Sequence, residues 1–90
     1  MDPDLPLIEA LQASDDSALN ELMGRYREPL FHFAFRLVHE ETAALEVVQE
    51  TFVRVYFGAR KFKPKASVKT WMYSIALNLS RDHFRRLARR

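Results

Sequence analysis

Residues 30–38 read LFHFAFRLV, a segment in which Leu30, Phe31, Phe33, Ala34, Phe35, Leu37 and Val38 are apolar and only His32 and Arg36 are not. Taken as a helix from Leu30 to His39, it is hydrophobic around most of its circumference, so neighbours must cover it on several sides. It is therefore the central element of the fold. Two glycines in 90 residues leave little for the tight turns of a β-rich fold, and without cysteine neither disulfides nor thiolate metal sites can hold the chain together. Stability has to come from helix packing. The expected fold is all-α: a compact bundle of three to four main helices with a basic loop before the last helix, in a single domain over residues 1–90.

Working outward, Asp15, Asp16 and Ser17 precede Leu19, Leu22, Met23 and Tyr26 at three- and four-residue spacing, which predicts a helix over 17–27. A shorter, weaker turn is expected over 7–12. Pro29 is expected to interrupt or restart the helix, since it has no N–H and disfavours helix in the residue before it. On the other side, Thr42 is the expected cap of a third helix running to about Gly58, with Leu45, Val48, Phe52, Val55 and Tyr56 as its core stripe. A loop over 59–66 containing Pro64 follows, and Ser67 is the expected N-cap of a last helix to about Leu87. In that helix Met72, Tyr73, Ile75, Ala76, Leu77, Leu79, Phe84 and Leu87 form a broad apolar arc expected to pack inward. No run is long and apolar enough for a membrane span, and the opening MDPDLP is acidic where a signal peptide is basic. A soluble, non-exported protein with no membrane insertion is expected.

The net charge of +2 conceals a polarity. Residues 1–59 hold four basic and eleven acidic side chains, a balance of −7, and residues 60–90 hold ten basic side chains against Asp82 alone, a balance of +9. Two partners of opposite character are implied, a protein surface for one half and a polyanion for the other. On the third helix Glu46, Gln49, Glu50 and Val53, with Phe57 at the end, share a face that is acidic with apolar residues mixed in. The stretch RKFKPKASVKTW, residues 60–71, sets the cations Arg60, Lys61, Lys63, Lys65 and Lys69 among Phe62, Pro64, Ser67 and Trp71. Beyond it, Ser74, Asn78, Arg81, Asp82, Arg85 and Arg89 occupy one arc of the last helix with Trp71 near its middle. Such residues reach phosphates and base edges, and an aromatic can stack on an unpaired base.

Other classes are less well served. His32 and His39 lie seven residues apart and Glu40 or Glu41 could join them on a metal, but a packed core histidine and a helix-end cation are the commoner fates of such residues. No glycine-rich phosphate loop and no nucleophile beside a base is present, so neither an enzyme nor a cofactor is expected. A duplex-binding helix-turn-helix regulator would need a turn of three or four residues where this chain has about eight. A helical protein-interaction module with a basic end is the remaining alternative.

The order of the pieces carries a resemblance. EVVQETF, ARKFKPKASVKTW, SIALNLSRD and HFRR, within residues 42–86, resemble the main helical domain of bacterial RNA polymerase sigma factors of the extracytoplasmic-function group, and LNELMGRYREPLFHFAFRLV looks like that family's first helices. The resemblance implies a transcription initiation factor of the bacterial cytoplasm. Such a domain docks on the β′ clamp helices of core RNA polymerase, recognises the promoter minus-ten element and aids melting by capturing a flipped base of the single-stranded non-template strand. By position, Glu46, Gln49 and Glu50 match the polymerase-docking motif, residues 61–67 the base-capture loop, and Trp71, Ser74, Asn78, Arg81 and Asp82 the helix that reads promoter DNA. An anti-sigma factor covering these faces is a further implied partner. The family often has Asp where this chain has Glu46, and the loop is rich in lysine, with Ser67 as its small polar residue. Family members carry a second, minus-thirty-five domain, so a fragment of a longer protein is expected.

Overall fold

Leu30 and Ala34 are fully buried and Val38 nearly so, but Phe35 is 40% exposed and Phe31, Phe33 and Leu37 are half-buried, so the segment is not covered around its circumference as expected. The computed structural model describes residues 1–89. Among them the chain forms four α-helices and no strand: α1 (Leu5–Gln12), α2 (Ser17–Val38), α3 (Glu41–Gly58) and α4 (Val68–Ala88), with a 3-10 turn at Ala59–Lys61. Helices α2, α3 and α4 pack on one another, and α1 lies against α2 and the 3-10 turn. The core joins Ile8 of α1, Leu22 and Leu30 of α2, Val55 of α3, and Val68 and Met72 of α4.

Pro29 does not break the helix. It lies inside α2 on an exposed side it shares with Arg25 and Glu28, where water can serve the Arg25 carbonyl that Pro29 leaves without an N–H donor. Leu22 and Leu30, each fully buried, hold both halves of α2 to one core. The start of α2 is closed from Asp15, whose carboxylate accepts from the Ser17 N–H at 3.2 Å and from its hydroxyl at 2.6 Å.

In α3 the cap is Glu40 and not Thr42: the Glu40 carboxylate accepts from the N–H groups of Thr42 and Ala43. Leu45, expected in the core, is 53% exposed. Val48, Phe52 and Val55 are buried as expected and Tyr56 is half-buried, while Ala44, Val47 and Thr51, and not Leu45, complete the buried stripe. The Thr51 hydroxyl satisfies itself on the Val47 carbonyl at 2.7 Å.

Ser67 caps α4 as expected, its hydroxyl accepting from the Thr70 N–H at 3.0 Å. The inward face of α4 is Val68, Met72, Ala76, Leu79 and Ser80. Phe84 and Leu87, expected to pack inward, are 45% and 43% exposed, because among the described residues no side chain of α4 beyond Ser80 is buried. The last two turns flank α3 only across an open groove, with His83 and Arg86 on its wall.

Candidate nucleic-acid and protein interfaces

Glycine ends α3, yet Gly58 is not a left-handed stop. Its φ of −83° and ψ of −14° carry the chain on into the 3-10 turn. Glycine is favoured there by contact: a Cβ would stand 3.0 Å from Cζ2 of Trp71, close enough that the indole would have to give way. Trp71 itself is half-buried, lying over Gly58 and against Phe62 with ring centroids 4.8 Å apart. The two aromatics of the basic stretch thus pack on each other and tie the loop to the first turn of α4.

The cations of the stretch surround this pair. Arg60 and Lys61 lie on the 3-10 turn, and Lys63, Pro64, Lys65 and Ser67 follow in the loop, all exposed. Lys69 departs to another edge of α4, where its ammonium sits 5.9 Å from the centre of the Tyr73 ring. Tyr73 meets Phe33 edge to face at 5.0 Å, and Phe33, Lys69, Thr70, Tyr73, Ser74 and Leu77 line an apolar groove between α2 and α4. Sequence reading had assigned Tyr73 to the inward arc alone.

Trp71, Ser74, Asn78, Arg81 and Arg85 recur at three- and four-residue steps and form one strip along α4, exposed in every residue but Trp71. Asp82 flanks it and pairs with Arg85 at 3.3 Å. The Ser74 hydroxyl donates to the Trp71 carbonyl at 2.7 Å, leaving its lone pairs outward. The strip is neutral and hydrogen-bonding over Trp71, Ser74 and Asn78 and cationic at Arg81 and Arg85, the latter partly offset by Asp82.

The acidic set on α3 divides. Glu46, Gln49, Glu50 and Val53 line a groove of about 560 Å³ between α3 and α4, whose other wall includes Leu79, His83 and Arg86. Glu50 engages Arg54 at 3.3 Å, an exposed pair that adds little to stability. Phe57, 73% exposed, lies farther along and lines a separate hollow with Leu11, Ser14, Asp16, Tyr56 and Arg60.

Sequence reading missed the residues that fix the ends of the loop. Gln12 of α1 donates to the Ala59 carbonyl at 2.9 Å, and Asp2 accepts from the Val68 N–H at 2.8 Å. Asp4, 2% exposed, accepts from the Tyr26 hydroxyl and from Arg25 at 2.9 Å. Burial, then this hydrogen bond to Asp4, pushes the Tyr26 hydroxyl up to about 12. These bonds span from 21 to 66 residues of chain, and no local pattern announces them.

The nine-residue connection from Gly58 to Val68 does not fit a helix-turn-helix. No helix of the described residues is long and apolar enough to cross a membrane.

This chain is similar to bacterial RNA polymerase sigma factors. The chain is 31% identical to the RNA polymerase sigma-H factor of Pseudomonas aeruginosa over 80 residues, covering 89% of this chain and 42% of that protein. It is 31% identical to the ECF RNA polymerase sigma-E factor of Haemophilus influenzae over 87 residues, covering 97% of this chain and 46% of that one. It thus spans less than half the length of these relatives. An NMR structure of an engineered region 2 of sigmaE in complex with GTAAAA superposes with a TM-score of 0.85 at 30% identity, over 96% of this chain and 90% of that one. The Sigma-70 region 2 family matches residues 22–90, most of the sequence, and the chain belongs to that family.

Proposed function

We propose that this domain is a transcription initiation module that docks on the β′ clamp helices of core RNA polymerase and captures a flipped base of the single-stranded non-template minus-ten element. The observation that carries this reading is the exposed lysine loop running into the α4 strip of Ser74, Asn78, Arg81 and Arg85, with the Phe62–Trp71 pair where they join. The solved complex of an engineered sigmaE region 2 with GTAAAA supports a single strand as the ligand.

The energetics define the division of labour. Extracting a base from a duplex costs a few kcal/mol. A base seated against an aromatic returns about 1–3 kcal/mol, and lysine–phosphate contacts add a salt-sensitive term. The domain alone therefore binds single strands and leaves duplex closed, and melting requires polymerase to hold the rest of the bubble. Glu46, Gln49, Glu50 and Val53 are the polymerase contacts, with Phe57 beyond them. Leu45, Phe84 and Leu87, exposed and apolar, extend the surface that an anti-sigma factor would cover.

Fluorescence titration of Trp71 with single-stranded GTAAAA, its single-base variants and the matched duplex tests the proposal. Base-selective quenching by single strands is the expected result. Equal binding of every strand and of duplex, abolished by salt, would reduce the surface to a basic patch. For the docking face, Gln49→Ala with Glu50→Ala is expected to abolish binding to core polymerase with helicity intact.

A further inference from the structure

The family match begins at residue 22, so it gives no role to the first 21 residues. In the structure those residues hold both ends of the base-capture loop. At its start, Gln12 donates to the Ala59 carbonyl at 2.9 Å and more weakly to the Phe62 carbonyl at 3.5 Å, closing over the 3-10 turn. At its end, one carboxylate oxygen of Asp2 accepts from the Val68 N–H at 2.8 Å, and the other accepts from the Asp4 N–H at 3.0 Å. Asp4 is buried and anchored to α2 through Arg25 and Tyr26, and Arg25 also donates to the Pro3 carbonyl at 3.2 Å. The load path runs from α2 through Asp4 to Asp2 and then to the first N–H of α4.

Between these two fastenings the loop has little of its own. Lys63, Pro64, Lys65, Ala66 and Ser67 are all exposed, and the one backbone hydrogen bond within that stretch is from the Lys65 N–H to the Lys63 carbonyl at 2.7 Å. Its shape is set from its ends and by the Phe62–Trp71 contact. Asp2, Asp4 and Tyr26 also face Pro64, Ala66 and Ser67 across a shared hollow, so the N-terminal segment is one wall of the space the loop encloses.

We infer that Asp2 and Gln12 are positioning residues for base selection: the N-terminal segment is a clasp that presets the loop, so that a base enters a formed site and does not have to order one. Ordering a segment on binding lowers affinity for the ligand that needs the order, whereas lysine–phosphate attraction needs none. Loss of the clasp therefore lowers selectivity and spares general affinity. Removing the Asp2 charge from beside the lysines strengthens phosphate attraction on every strand alike, which raises general affinity without changing the ratio between strands. The inference rests on the base-capture reading above.

The test uses the 90-residue chain with Asp2→Ala, Gln12→Glu and both together, titrated with GTAAAA and its single-base variants. In the double variant, preferred strands are expected to lose about tenfold in affinity, and non-preferred strands to bind as well as before or more tightly. Asp2→Asn keeps an acceptor toward Val68 while removing the charge, and is expected to retain selectivity. Amide hydrogen exchange at Val68 gives a readout free of DNA, expected to quicken at least tenfold in Asp2→Ala while the buried amides of α2 keep their protection. Unchanged exchange at Val68, or unchanged selectivity in the double variant, overturns the clasp. Equal loss on all strands, with α2 exchange quickened, makes these residues general stabilisers and overturns it too. Absence of base selectivity in the unaltered chain defeats the capture reading instead, and exchange at Val68 still decides whether the clasp exists.

Discussion

Replacing Tyr26 with Phe removes one hydroxyl from the point where the N-terminal segment is anchored. That hydroxyl donates to Asp4, a carboxylate only 2% exposed, and a hydrogen bond to a charged group contributes about 1.5–3 kcal/mol. The titration of Tyr26 sets the pH-dependent part, to which burial contributes first and the hydrogen bond to Asp4 second. Its hydroxyl is raised from 10.0 to about 12, so the neutral form is favoured in the folded state by about 2.7 kcal/mol at most. Solvent at the partly exposed ring reduces this toward about 2 kcal/mol. The sign follows from the direction: a folded-state value above the unfolded one makes the contribution complete below pH 10, half spent near pH 11 and gone above about pH 12. Tyr26→Phe should therefore melt on the order of 10 °C below the parent at pH 8, and the gap should close between pH 10 and 12. Circular dichroism melts of both proteins across that range measure it. Tyr56, raised by its hydrogen bond to Asp16, ionises in both proteins and cancels in the difference. A gap that stays constant from pH 8 to 12, or that is absent at pH 8, would refute the coupling of Tyr26 to Asp4.

Pro29→Ala restores an N–H inside α2 at an exposed position, and should stabilise the domain by about 1–3 kcal/mol in chemical denaturation. A lower midpoint would mean that the geometry imposed by proline is what seats Leu30 and Ala34 in the core. Gly58→Ala gains helix propensity of about 1 kcal/mol but sets a Cβ 3.0 Å from Trp71, whose ring Phe62 blocks on another side. A shifted Trp71 emission without a rise in melting temperature is expected, and stabilisation with unchanged emission would show that the indole is free to move.

Periodicity made most of the fold legible, because burial on a helix follows spacing. Leu30, Ala34 and Val38 are where the apolar run puts them, and Ser67 caps α4 through the geometry its residue type favours. The failures have physical causes. Proline carries a strong local signal for a break, but the core contacts of Leu22 and Leu30 outweigh it when the unserved carbonyl faces water. Leu45 and Ala44 compete for one stripe, and close helix approach selects the smaller residue, against the expectation from hydrophobicity. At the site, the exposed α4 strip was legible as spacing, whereas the partition of Phe57 from the Glu46–Glu50 groove was not. Asp2 and Gln12 were beyond reach altogether, since their partners lie 66 and 47 residues away.

The charge map along the sequence also differs from the map in space. Asp2 belongs to the acidic half of the chain, yet the fold delivers it to the first turn of α4, beside the lysine loop. A helix N-terminus is the strongest anion site that backbone alone provides. Here Asp2 occupies it on the Val68 N–H and the Ser67 hydroxyl takes the Thr70 N–H, so an incoming phosphate does not find these donors open. On the proposed function, phosphate attraction then falls to Lys61, Lys63, Lys65 and the arginines of the strip, a contribution screened by salt and indifferent to sequence. On the clasp proposed above, selectivity depends on the shape of a loop that those cations do not fix. On that reading affinity and selectivity reside in different residues of the same few turns, and each can be lost while the other stays.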